Sequence, residues 1–129
     1  MLRVLIIGAL TFGIGASVFA QEEKSERYNK EMAKYSQTGE FKNCVRANSI
    51  RRTKILDDQH IIFEMTGKNI LLNTLDRKCH SLGYLQQISY SVRNNRLCNV
   101  DFFNVMDNMR ARTTCGFGKF EVLEKKEAG

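Results

Sequence analysis

Asp57, Asp58 and His60 are the residues of this 129-residue chain whose types and spacing best suit chemistry. Two carboxylates beside an imidazole can bind a cation or exchange protons as an acid and a base. His60 and His80 are the two histidines of the chain, so a site with three histidine ligands is excluded. Aspartates at a hairpin turn usually accept hydrogen bonds from their own backbone, and we predict this role for Asp57 and Asp58. We therefore predict no catalytic residue, no metal and no cofactor, with a polar site at these three residues as the alternative.

The first twenty residues have the pattern of an export signal. Arg3 is a short positive segment, residues 4–19 are apolar, and Val18-Phe19-Ala20 is a suitable cleavage sequence. An uncleaved membrane anchor is the alternative, but the apolar run is shorter than a span of about 20 residues and contains glycines. We predict a signal peptide over 1–20, cleavage after Ala20, and no stable membrane insertion of the mature chain.

Four cysteines follow the signal: Cys44, Cys79, Cys98 and Cys115. An even number of cysteines in an exported chain favours disulfides, because the oxidising side of a membrane allows them to form. Metal sites need closely spaced ligand pairs such as C-x-x-C, which these cysteines lack. Two disulfides are the prediction, with a metal or a reactive thiol as the alternative.

The stretch after the first cysteine has a period of two where Ile61, Phe63 and Met65 alternate with Ile62, Glu64 and Thr66, and it becomes apolar again at 70–75. It predicts strands at about 46–56, 60–66 and 69–75, separated by turns at Asp57-Asp58-Gln59 and at Thr66 to Asn69. Strands are also expected at 84–92, 97–106 and 115–123, with a turn at Arg93 to Arg96 and a loop over 107–113. Before them, residues 21–42 form a charged segment, helical or flexible, and residues 124–129 a flexible tail. The disulfide-bonded domain is predicted over 43–123.

These elements predict an all-β fold, a small six-stranded antiparallel barrel or a compact sandwich, with a short helical segment at the N-terminus. Hairpin partners run in opposite directions, so strand order assigns each cysteine to one end of the barrel. Cysteines at opposite ends of strands of about nine residues lie roughly 30 Å apart, too far to bridge. This argument leaves Cys44–Cys98 and Cys79–Cys115 as the predicted disulfides.

The motif I-R-x-T-x-I-L-D-D-x-x-I-x-F from Ile50 to Phe63, together with the four cysteines and the C-G-F-G sequence from Cys115, gives the chain a recognisable framework. It resembles a family of small exported proteobacterial proteins of unknown function, over about residues 44–120. Members of that family often carry C-P-G-L where this chain has C-H-S-L at 79–82. The resemblance implies placement in the periplasm of a Gram-negative bacterium, and it implies no activity.

Two functions remain. The net charge is +6, and a basic exported protein can meet anionic surfaces, although such charge also serves solubility alone. The preferred hypothesis is a non-catalytic binding module whose partner is an acidic periplasmic protein or an anionic envelope polymer, with Arg110 and Arg112 as the contact surface. The alternative is a small periplasmic or cell-wall hydrolase that uses Asp57, Asp58 or His60. Nucleic-acid binding is not predicted, because export separates the protein from nucleic acid and no continuous basic groove is evident.

Overall fold

The computed structural model describes residues 25–126, and the predicted signal peptide lies outside this range. The described chain is mostly β-structure in antiparallel sheets, which confirms the predicted all-β class. The described part of the chain has two α-helices, α1 (Glu26–Met32) and α2 (Leu82–Leu85). Residues 25–126 contain ten strands rather than six: β1 (Tyr35–Lys42), β2 (Cys44–Arg46), β3 (Ile50–Ile55), β4 (His60–Met65), β5 (Ile70–Thr74), β6 (Ile88–Ser89), β7 (Arg96–Cys98), β8 (Phe102–Asp107), β9 (Arg110–Gly116) and β10 (Phe120–Lys125).

The largest sheet has five strands in the order β1-β10-β5-β4-β3. Its β3, β4 and β5 form the predicted meander, with antiparallel pairing between neighbours. Ile61 and Phe63 point to one face and Ile62 to the other, and all three are fully buried. Gly67, with a φ of 79°, provides the left-handed residue that the turn between β4 and β5 requires.

The N-terminal segment is only partly helical. Ser25 caps α1, where its hydroxyl accepts a hydrogen bond from the Tyr28 N–H at 3.1 Å. The prediction of a helical or flexible segment over 21–42 is wrong after the helix, because 35–42 form β1 at one edge of the main sheet. The predicted flexible tail is also wrong in its first residues: β10 continues to Lys125, and the Lys126 N–H donates to the Lys34 carbonyl at 2.9 Å.

The second half of the chain is more finely divided than predicted. Strand β7 pairs with β2, from the first half, in a two-stranded ribbon, and three further strands form a sheet in the order β6-β8-β9. The strand expected over 97–106 is broken at Asp101, whose carboxylate accepts from the Cys98 N–H at 2.7 Å and closes a turn. The segment expected to be the loop 107–113 is a tight hairpin, since β9 begins at Arg110. Residues 84–92 contain the end of α2 and the two-residue strand β6 rather than one long strand.

Two apolar clusters cover the two faces of the five-stranded sheet. On one face, Phe63 packs in a cluster that contains Phe103 and Leu97 from the smaller sheets. On the other face, Tyr28 of α1 lies in a second cluster with Ile62. Within residues 25–126 the sheet is open, because its edge strands β1 and β3 do not pair with each other. The fold is therefore a layered sandwich, the second of the two predicted architectures, with a helix on its outer face.

Both predicted disulfides are confirmed. Cys44 and Cys98 lie directly opposite each other in the ribbon, with Cα atoms 4.0 Å apart. Cys79, in the segment after β5, is joined to Cys115 of β9 with Cα atoms 5.9 Å apart. The second bridge therefore connects the layer of the main sheet to the layer of the small sheets.

Neither helix within residues 25–126 has the length and apolarity that crossing a membrane requires.

Candidate functional site

A cleft of about 460 Å³ opens at the end of the main sheet, on the side that carries α1. Asp57, Asp58 and His60, the predicted polar site, all line it. The structure therefore brings these three residues together.

The turn between β3 and β4 positions Asp57. One carboxylate oxygen, Oδ1, accepts hydrogen bonds from the backbone N–H groups of Gln59 and His60, both at 2.8 Å. Across the turn, the Leu56 N–H donates to the His60 carbonyl at 2.9 Å. This is the turn role predicted from the sequence, and it fixes the carboxylate against the imidazole that follows.

Asp57 and His60 form a close carboxylate–imidazole pair. The His60 Nδ1 atom lies 2.9 Å from Oδ1 and 3.0 Å from Oδ2 of Asp57. Both side chains are sheltered, with exposed fractions of 13% for His60 and 18% for Asp57. The Tyr28 ring packs on the imidazole with centroids 4.4 Å apart. Since an ionised carboxylate only accepts hydrogen bonds, Nδ1 donates, and Nε2 is the ring nitrogen left to act as a base.

Electrostatics keep Asp57 ionised. Burial raises the pKa of its carboxyl, but the hydrogen bonds from the His60 ring and the Gln59 and His60 backbone more than offset burial. The net effect is a pKa below the ordinary value of 3.8. A carboxylate with a lowered pKa orients a base well but is a poor proton donor.

Asp58 bonds to the segment after β5 and to α2. Its Oδ1 accepts from the Gly83 N–H at 2.8 Å, and its carbonyl accepts from the Cys79 N–H at 2.7 Å. A side chain at position 83 would crowd the Asp57 backbone, since a Cβ there would lie 3.1 Å from it. Asp58 therefore holds both α2 and the segment between β5 and α2 against the turn, a role that we call a structural tie.

Arg27 lines the cleft on the side of α1. Its Nη1 donates to the carbonyls of Ile55, Leu56 and Gly83 at 3.2, 3.0 and 3.4 Å. Sequence reasoning missed this residue because the carbonyls it contacts lie 28 residues or more along the chain. No local pattern distinguishes Arg27 from the other charged residues of its segment.

Thr74 is a second residue that sequence reasoning missed. It lies directly opposite His60 in the β4–β5 pair, so the two side chains share one face of the sheet. Directly opposed residues have Cβ atoms roughly 4.5–5.5 Å apart, so the Thr74 and His60 side chains start from neighbouring positions on that face. The signal that could have found it is the hairpin predicted over 60–66 and 69–75, in which the start of the first strand lies near the end of the second.

The cleft contains a candidate base, but its described residues do not supply the ligands of a metal site. Among residues 25–126, no three His, Cys, Asp or Glu side chains are grouped so as to hold a metal ion. The Ser25 hydroxyl, which also lines the cleft, donates to the Leu56 carbonyl at 2.8 Å in addition to capping α1. Most polar side chains of the cleft are therefore already hydrogen-bonded to other groups of the protein.

The predicted contact residues Arg110 and Arg112 lie elsewhere and do not line the cleft. Both are exposed on β9, an edge strand, rather than in a loop. The Arg112 Nε atom lies 3.4 Å from the Asp107 carboxylate on the neighbouring strand. The structure therefore separates the two candidate sites of the sequence analysis.

No protein-family model, curated protein or solved structure matches this chain, and its resemblance to the exported proteobacterial family stays a prediction.

Proposed function

We propose that this chain is a periplasmic, non-catalytic binding module whose partner is an anionic envelope polymer. Two disulfides are typical of proteins that fold outside the cytoplasm, and the signal pattern at 1–20 agrees with that location. An acidic protein is the other partner that the same surface charge would suit.

One observation carries the proposal: the exposed arginines of the two smaller sheets are almost free of acidic partners. Five exposed arginines lie there or in the adjoining turn, and within residues 25–126 only one of them makes an ion pair; they are Arg46, Arg93, Arg96, Arg110 and Arg112. Unpaired guanidinium groups attract carboxylates and phosphates and speed the encounter with an anionic partner. In the cleft, by contrast, the carboxylates are already held by backbone N–H groups.

Binding of the mature protein to immobilised polyanions tests this proposal. We expect saturable binding to polyphosphate or polyglutamate that weakens as salt is added, and no binding to neutral dextran. Binding should survive Asp58→Asn, because Asp58 is a structural tie away from the arginines. Absence of binding to every polyanion at low salt would contradict the proposal.

The location is tested separately by the mass of the exported protein. We expect a periplasmic fraction of a Gram-negative host to contain a chain that begins at Gln21, with all four thiols oxidised. A chain that retains residues 1–20 in the membrane fraction would show an anchor instead of a cleaved signal.

A second candidate function is a small hydrolase, and the Asp57–His60 pair is the observation that favours it. An imidazole oriented by a carboxylate can take a proton from an attacking water or hydroxyl group. Thr74 places a hydroxyl on the same face of the sheet as the base.

A panel of chromogenic ester, amide and glycoside substrates distinguishes the two functions. A hydrolase would lose turnover in His60→Gln and keep it in His80→Gln, which removes an exposed histidine outside the cleft. A binding module would show no turnover that depends on His60, while both variants would bind polyanion as well as the wild type.

A further inference from the structure

Three arginines lie side by side across neighbouring backbone segments. Arg96 of β7 is directly opposite Arg46 of β2. On its other side, Arg96 is paired with Arg93, antiparallel, across a tight turn. Directly opposed residues share a face, with Cβ atoms roughly 4.5–5.5 Å apart. Arg93, Arg96 and Arg46 thus form a line that we call the arginine row.

The backbone beneath the arginine row is firmly held. Asn94 and Asn95 have φ values of 53° and 56°, the left-handed pair that a two-residue hairpin turn requires. The Arg96 N–H donates to the Arg93 carbonyl at 3.1 Å, which closes the turn. The Asn95 side chain accepts from the Asn48 N–H at 2.8 Å and ties the turn to the chain beyond β2.

The disulfide and the core fix the direction of the row. Cys44–Cys98 joins the same two strands, two residues away from Arg46 and Arg96. Val45 and Leu97, which lie between these pairs, are buried in the core. Since side chains alternate along a strand, the arginines point away from the core, and all three are exposed.

The row is electrostatically unfavourable by itself. Like charges directly opposite in a sheet destabilise it, and none of the three arginines pairs with a carboxylate in the part of the chain that the structure describes. A concavity of about 390 Å³ borders Arg46 and Arg96, with Asn94 and Asn95 also in its lining. Its polar lining is therefore made of guanidinium, amide and backbone groups, without an acid.

We propose that the arginine row binds clustered phosphate groups. Each guanidinium presents paired N–H donors that fit the oxygens of a phosphate, and closely spaced phosphates bring several negative charges to the three neighbouring cations. This inference rests on the proposed function, in that it names the ligand chemistry and the residues that recognise it. Phosphates on a membrane and phosphates of a soluble polymer share this chemistry.

The test measures binding of the mature protein to two phosphate probes, soluble inorganic polyphosphate and phosphatidylcholine vesicles that contain phosphatidic acid. Arg96→Gln keeps much of the side-chain length and removes the charge, whereas Arg96→Lys keeps the charge and removes the paired donors. Arg77→Ala is the matched control, because Arg77 is exposed in the segment after β5 and outside the row. We expect the Kd for a phosphate probe to rise about 10-fold in Arg96→Gln, a few-fold in Arg96→Lys, and less than about twofold in Arg77→Ala.

Each outcome supports or overturns the inference. Row-dependent binding to either phosphate probe supports it, and the probe that binds identifies a soluble or a membrane source. Equal weakening by Arg96→Gln and Arg77→Ala would mean that net charge alone drives binding, which overturns it. Loss of binding in an Arg110→Ala/Arg112→Ala variant but not in Arg96→Gln would overturn the row while the proposed function stands.

Two further controls separate failure of the row from failure of the proposed function or of folding. Polyglutamate bound as tightly as polyphosphate, with the same dependence on Arg96, would overturn the choice of phosphate and leave an anion-binding module. If no polyanion binds the wild type, both proposals fail. Arg96→Gln should unfold at the same urea concentration as the wild type or a higher one, because it relieves like-charge contacts.

Discussion

The Asn73 side chain is buried and makes two hydrogen bonds with the Gly118 backbone, as a neighbouring strand would. Its Nδ2 donates to the Gly118 carbonyl at 2.7 Å, and its Oδ1 accepts from the Gly118 N–H at 2.8 Å. Gly118 approaches β5 so closely that a Cβ there would overlap the Thr74 carbonyl oxygen. Asn73 and Gly118 are 45 residues apart in the sequence, so no local pattern reveals this contact. The same holds for Arg27 at the cleft, whereas the turn bonds of Asp57 are local and were predictable.

Replacing Asn73 with alanine is predicted to lower the free energy of unfolding by about 3 kcal/mol, because two buried backbone groups lose their partners. Urea denaturation measures the loss. Asn104→Ala is the control, since Asn104 makes an exposed side-chain hydrogen bond to Thr114, and its change should stay below about 1 kcal/mol. Similar losses in the two variants would show that the Asn73 bonds add nothing specific.

The Asp57–His60 pair predicts a particular dependence of stability on pH. Because the pKa of Asp57 is lowered in the folded state, the unfolded chain takes up the proton more readily. The stability that Asp57 contributes is therefore complete above its ordinary value of 3.8 and is lost as the pH falls through the lower folded-state pKa. In Asp57→Asn we expect a shallower loss of stability at acid pH than in the wild type, measured by urea denaturation across a pH series. Parallel curves would contradict the prediction.

Among the strands, burial explains which could be predicted from the sequence and which could not. Strands β4 and β5 have both faces in the core, so they contain runs of consecutive apolar residues. Strand β1 has one buried residue followed by seven exposed ones, and β9 is exposed over its first three. Both are edge strands, where polar and charged side chains are favoured and no alternation is imposed. Such strands form because a neighbour offers hydrogen bonds, which a sequence read locally does not reveal.

The hairpin between β8 and β9 was missed for a related reason. Its two turn residues, Asn108 and Met109, have φ values of 48° and 72°, but Met109 lacks the conformational freedom usual at that position. Met109→Gly is predicted to raise the free energy of unfolding by about 1 kcal/mol, because the Cβ no longer opposes the left-handed backbone. Met109 is 92% exposed, so little burial is lost. Thermal unfolding compares it with Met109→Ala, which keeps the Cβ and should change little; a gain of equal size in both would contradict this reason.

The whole molecule is a sandwich whose layers are joined by one covalent link. The sequence predicted both disulfides correctly but from a layout that is partly wrong. Cys115 lies near the end of β9, opposite Phe103 near the start of β8, instead of at the beginning of a strand. Strand direction assigns each cysteine to one end only when the strands form one continuous barrel, whereas this chain divides its strands among three sheets. That division depends on contacts between distant residues such as Phe63 and Phe117, whose ring centroids lie 6.1 Å apart.

Removal of the link between the layers by Cys79→Ala/Cys115→Ala is predicted to lower the free energy of unfolding by about 4 kcal/mol in the chain-entropy model. It should also open the cleft, because Asp58 is bonded to the Cys79 N–H. Hydrogen exchange of the backbone N–H groups at positions 79 and 83 measures the second effect. The matched variant Cys44→Ala/Cys98→Ala should lose similar stability without faster exchange at Gly83, and faster exchange there in both variants would contradict a specific role for the interlayer bond.

The position of β10 has a consequence for the order of assembly. This last strand lies inside the main sheet, between β5 and β1, so the first strand has no partner until the final residues have arrived. A chain that emerges N-terminus first, from a ribosome or a translocation channel, must therefore wait with β1 undocked. If synthesis stalls before Phe120, one edge of β5 stays unpaired and the apolar residues around it stay exposed. Such a polypeptide would be a substrate for chaperones and proteases rather than a smaller stable protein.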